Sequence, residues 1–248
     1  MAKTNVNGRK WLPWLLGGVV AVVVVVVGGR FVIHVIEGGS KPPLALSTVT
    51  TTPAAAGGTS STLAGSSDAS SGSGSTLDGM WNIGNGSQAG YRVQESLFGQ
   101  SNTAVGRTSA ITGNLTLSGT TVTAETVTVD LTKVSSDRSQ RDDQFQGRIM
   151  NTSQFPTAKF VLTKPISLAS LPAVGVQVSA SATGDLTLHG VTKSVTFPVT
   201  AQRTTSAIQV QGSIPITFAD WNINNPSGGP ASVGTSGSLE FLLDFTHT

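Results

Sequence analysis

Three histidines, one pair of adjacent carboxylates and a group of arginines are the residues whose types could do chemistry in this chain of 248 residues. His34, His189 and His247 are too far apart in sequence for any two to share a metal-ligand spacing, so no metal site is expected. Cysteine is absent, which removes thiolate nucleophiles, thiolate metal sites and disulfides. His189 sits in Leu186-Thr187-Leu188-His189-Gly190-Val191-Thr192-Lys193, between two alternating runs. It could serve as a base, but a turn residue before glycine is the better reading. Asp142 and Asp143 would point about 100° apart on a helix and cannot converge on one bond as a glycosidase pair must. Arg138, Arg141 and Arg148 share that region, where helix-face ion pairs compete with an anion site. Gly84-Asn85-Gly86-Ser87-Gln88-Ala89-Gly90 lacks dinucleotide-loop spacing and reads as a turn. An enzyme, with His189 or Asp142 as its base, is therefore the least favoured class, and no cofactor is expected.

The elements that must position these residues divide by composition. Charged residues are 11% of the chain, against roughly 25% in an ordinary soluble protein. Residues 1–76 hold five basic and two acidic residues, a net of +3; residues 77–248 hold ten and eleven, a net of −1. A nucleic-acid binder needs a basic footprint on its folded part, so that class is excluded.

Residues 1–10 form a basic tail with Lys3, Arg9 and Lys10. From Trp11 to Gly29 no residue is charged, and the apolar run resumes as Phe31-Val32-Ile33 after Arg30. Nineteen residues span about 28 Å as a helix, close to a hydrocarbon core of roughly 30 Å. The spacing predicts a single transmembrane helix over 11–36, an uncleaved anchor with its N-terminus cytoplasmic and the remainder extracytoplasmic. Residues 37–76 are nearly all Gly, Ser, Thr, Ala and Pro and read as a flexible linker, with a reach on the order of 35 Å.

From Leu77 the hydrophobic period becomes two. Ile208, Val210, Ile214, Ile216 and Phe218 form one run, and Leu239, Phe241, Leu243 and Phe245 another. Such runs with glycine punctuation predict an all-β sandwich or barrel over 77–248. Val122 and Val127 differ in parity, which predicts a bulge or strand break between them. Residues 135–150 break the pattern, with Phe145 and Ile149 four apart, and predict one short helix that lids or plugs a barrel. Eight strands make a barrel just wide enough for one small or elongated ligand.

An ordered set of pieces resembles the YceI-like, polyisoprenoid-binding family. They are Asp78-Gly79-Met80-Trp81-Asn82-Ile83, Gly90-Tyr91-Arg92-Val93, Gly113-Asn114-Leu115-Thr116-Leu117, Val129-Asp130-Leu131, Phe155-Pro156-Thr157-Ala158-Lys159-Phe160 and Gly184-Asp185-Leu186-Thr187-Leu188-His189-Gly190. The tethered arrangement is similar to actinobacterial members. The resemblance implies a lipocalin-like, extended antiparallel eight-stranded barrel whose cavity holds a long isoprenoid, of the polyprenyl phosphate or isoprenoid quinone type, for transport, storage or sequestration. The inward-facing residues expected to line that cavity are Phe145, Ile149, Phe160, Leu162, Phe197, Ile216, Phe218, Phe241 and Leu243. Arg141 is the candidate for an anionic head group, with a structural ion pair as its competing role. The implied partners are an isoprenoid or other long-chain lipid and the cell membrane; a homodimer stays open. The alternative is a filled barrel that binds no lipid and serves as a structural or interaction module on a flexible stalk.

Overall fold

β-branched and aromatic residues suit a pleated surface with one buried face, and strands dominate the described residues. A computed structural model describes residues 21–27, 30–36, 41–48, 77–228 and 231–247. It divides into two units, Met1–Gly39 and Ser40–Thr248.

In the first unit, β1 (Ala21–Val27) and β2 (Arg30–Ile36) pair antiparallel, from Ala21 opposite Ile36 to Val27 opposite Arg30. The described part of the predicted transmembrane helix is thus a hairpin rather than a helix. Consecutive valines are stiff at χ1 and favour strand geometry. Residues 11–20 and 28–29 of that span lie outside the described residues, as does the basic tail. Among the described residues no helix is long and apolar enough to cross a membrane.

The second unit contains β3 (Gly79–Ile83), β4 (Gln88–Leu97), β5 (Gln100–Thr108), β6 (Ile111–Ser118), β7 (Thr121–Asp130), α1 (Ser139–Gln144), β8 (Thr157–Lys164), β9 (Ile166–Ser167), β10 (Gln177–Leu188), β11 (Val191–Arg203), β12 (Ala207–Thr217), β13 (Ala231–Val233) and β14 (Ser236–His247). β14 pairs with β4 over Ser238–Leu242 and with β3 over Phe245–His247. β3 and β4 are therefore one course, kinked where Gly84–Ser87 inserts two extra residues. β5 and β6 run back along them in the same way. The order β12-β11-β10-β8-β7-β6-β3-β14 closes on itself through β12 and β14, giving an eight-stranded antiparallel barrel.

The predicted irregularities have physical causes. The β6–β7 register shifts between Thr116 and Leu117, opposite Val122 and Ala124, which accounts for the change of parity along β7. α1 is short because the chain then widens into a π-helical turn, Phe145–Ile149, with Phe145 buried. His189 (φ 48°) and Gly190 (φ 75°) are both left-handed and form the tight turn between β10 and β11.

One expectation needs correction. Residues 41–48 do not behave as free linker: they form a strap over the outside of the barrel. Arg92 Nη2 donates to the Lys41 carbonyl (2.9 Å), and Arg107 donates to the Pro42 carbonyl. Gln202 Nε2 donates to the Ser47 carbonyl (2.7 Å), and the Ser47 amide donates to Gln209 Oε1 (3.2 Å). Leu44 is only 8% exposed. On β14, Glu240 and Asp244 alternate with interior residues, yet both are buried. Glu240 accepts from Arg92 (3.0 Å) and Arg107 (2.7 Å), and Asp244 accepts from Gln209 (2.7 Å). Low-complexity composition did not reveal the strap because its partners lie about 50 to 160 residues downstream. The remainder of the predicted linker, 37–40 and 49–76, lies outside the described residues. Replacing Leu44 with Asp is expected to lower unfolding stability by about 1–3 kcal/mol, as a shift of the urea midpoint at unchanged slope.

Candidate functional site

Alternation sends every second side chain inward, and in this barrel those side chains leave space between them. The cavity measures about 400 Å³, within the roughly 300–1,000 Å³ range of small-molecule sites. Phe160, Phe197 and Phe241 form an aromatic band, edge to face, with ring centroids 5.3 and 5.9 Å apart. Two of these rings rest on glycines of neighbouring strands. A methyl at Gly184 would lie 2.5 Å from Phe160, and one at Gly212 would lie 2.4 Å from Phe241. Because the glycines have no side chain, the rings can lie close to the wall rather than fill the centre.

Of the nine apolar residues expected at the cavity, Phe145, Ile149, Phe160, Phe197, Ile216, Phe218, Phe241 and Leu243 face it. Leu162 does not line it, but is buried in the same core cluster as Phe160 and Phe197. Arg141 reaches the rim beside α1. Its Nη2 donates to Glu95 on β4 (2.8 Å), and its Nη1 donates to Asp137. Burial works against the charge, but Glu95 and Asp137 hold the guanidinium pKa above its ordinary value. Two carboxylates share this one cation, so Arg141 brings no surplus positive charge to the rim. Asp142 accepts from the Ser136 amide (2.8 Å), and Asp143 is exposed. His189 places Nδ1 3.1 Å from the Trp221 carbonyl and its ring 4.7 Å from Phe155, a packing role.

Inward polar residues missed from the sequence include Tyr91, Glu95, Glu125 and Arg203, the last lining the cavity from β11 and donating from Nη1 to the Pro172 carbonyl (3.2 Å). Tyr91 stacks on Phe145 (5.1 Å), and burial pushes its hydroxyl up to about 12 despite the nearby Arg141 charge. Glu125 shares the inward face of β7 with Val127 and Val129 and lines the cavity. Burial alone pushes its carboxyl up to about 7. The signal was available: carrying the parity change between Val122 and Val127 through the run turns Glu125 inward.

The fold and cavity define a closed, lipocalin-like antiparallel β-barrel with an apolar interior large enough for a ligand. Residues 81–245 match the YceI-like domain, and the chain belongs to that family. It is similar to a UPF0312 protein of Pseudomonas putida strain W619, 37% identical over 91 residues, 36% of this chain and 44% of the relative. A UPF0312 protein of Pseudomonas putida strain GB-1 is 36% identical over the same coverage. The chain thus spans less than half the length of these relatives. Among solved structures, a polyisoprenoid binding domain from Saccharophagus degradans superposes with a TM-score of 0.55 at 18% identity, covering 69% of this chain and 99% of that one. Burkholderia cenocepacia BcnA gives 0.50 at 20%, covering 64% and 95%. Both show a shared fold.

Replacing Arg141 with Gln leaves Glu95 without its cation, and a stability loss of about 2–4 kcal/mol in denaturant titration is expected. Glu125 makes a pH prediction of definite sign. Its folded pKa is raised, so the stability it supports is fully present below about 4.5 and is lost as pH rises through about 7. The loss amounts to up to about 3 kcal/mol. Thermal unfolding across this window should show a downward component in the native chain that Glu125→Gln removes.

Proposed function

We propose that this protein holds a long-chain isoprenoid lipid inside its barrel, and that it does so without catalysing a reaction. The observation that carries this reading is the apolar cavity of about 400 Å³, banded by Phe160, Phe197 and Phe241. Each buried CH₂ is worth about 0.8 kcal/mol, so a water-excluded hydrocarbon tunnel retains such a chain outside a bilayer. The polyisoprenoid binding domain of Saccharophagus degradans, which shares the fold, supports the choice of ligand class. The apolar run at 11–36 supports a membrane tether of the kind noted in actinobacterial members, with the barrel extracytoplasmic. A two-stranded hairpin leaves its edge amides unpaired in hydrocarbon, so this run would cross a bilayer as a helix.

Purifying the full chain from membranes in mild detergent and identifying retained lipid by mass spectrometry tests the proposal. One isoprenoid per chain is expected, and Gly212→Val, which pushes Phe241 into the cavity, should reduce that occupancy. A barrel that retains no lipid and takes none up from vesicles would overturn the reading and leave the structural module.

A further inference from the structure

Glu125 is a carboxyl placed where apolar packing would suit an aliphatic side chain. It sits on β7 opposite Leu115 of β6, one residue before Thr126 begins the pairing with Val161 of β8. Its neighbours on the same inward face, Val127 and Val129, belong to the packed interior. β6 and β9 contain no charged residue, and Lys159 and Lys164 of β8 are exposed. Asp130, the other acid of β7, accepts from Thr132 at the far end of the strand. No described side chain or backbone group bonds to the Glu125 carboxyl. An unpaired polar group in an apolar chamber is costly unless something meets it.

We propose that Glu125 recognises the ligand's polar end, taking a neutral oxygen function, a carbonyl or a hydroxyl, on a molecule whose remainder is hydrocarbon. This rests on the lipid-holding reading above and narrows it. A protonated carboxyl donates to a carbonyl oxygen, and either protonation state accepts from a hydroxyl. A phosphate would confront Glu125 as like charge, Arg141 is already shared between Glu95 and Asp137, and Arg203, which lines the cavity from β11, donates to the Pro172 carbonyl (3.2 Å). The wall at Glu125 thus suits an isoprenoid quinone or alcohol, and a phosphate would have to turn to Arg203 instead.

Four probes test this on the purified full chain: geranylgeraniol, a menaquinone with the same tail, geranylgeranyl phosphate and phytane, the saturated hydrocarbon. The native chain should bind the alcohol and the quinone about 3–10-fold more tightly than phytane, the value of one hydrogen bond. Glu125→Leu should erase that preference while retaining phytane. Glu125→Gln, which keeps a donor and nearly the same shape, should preserve it. The quinone preference of the native chain should fall as pH rises through about 7, whereas that of Glu125→Gln should not. Equal discrimination by the native chain and Glu125→Leu, or tightest native binding of the phosphate, overturns this inference and leaves the lipid reading standing. Binding of none of the four overturns that reading itself.

Discussion

Closure of the sheet through β12 and β14 is the constraint on which the rest of the barrel depends. Eleven residue pairs, from Ala207 opposite Thr246 to Thr217 opposite Ser236, join these strands along their length. The other edge of β14 is taken by β3 and β4. No edge then remains on β14 to admit water or another chain, so its inward residues Leu239, Phe241, Leu243 and Phe245 face a common interior. Had β14 paired on one side only, these residues would form an exposed apolar stripe, and the cavity would be a groove.

A closed barrel of eight strands can also be filled solid. Here the seats at Gly184 and Gly212 decide otherwise, by letting bulky rings lie close to the wall. The rim shows a complementary economy of charge. Arg141, Glu95 and Asp137 satisfy one another, and Asn102 Nδ2 adds a bond to Glu95 (2.7 Å), so the α1 side is polar but carries no unmatched cation from this group. The interior is therefore mostly apolar, with Glu125 and Arg203 among the charged side chains that reach its wall.

Much of the barrel was legible in the sequence because alternation is a local signal. The runs ending in Phe218 and Phe245, the turn at His189-Gly190 and the break in parity after Val122 each reflect constraints within about ten residues. Long-range pairing was not legible. Leu162 shares its inward parity with Phe160 and packs in the same core cluster, yet it does not line the cavity, and no pattern within β8 separates the two. Pro42-Pro43-Leu44 has the composition of a linker; only the positions of Arg92 and Arg107, set by the fold, give it a seat. Glu125 was hidden for a different reason. One acid in a Thr/Val run looks like a solvent-facing residue until the bulge reverses its side.

The strap has a mechanical consequence. Because Arg92 and Arg107 hold the carbonyls of Lys41 and Pro42, a pull from the N-terminal side of the chain reaches the barrel wall before it reaches β3. β3 supplies part of the seam with β14, where a peeling force would open the closed sheet one ladder bond at a time. Seating residues 41–48 across the outer face transfers that load to Arg92, Arg107 and Gln202, spread over β4, β5 and β11. The segment thus acts as strain relief for the barrel's seam, much as a clamp on a cable keeps tension off the joint behind it.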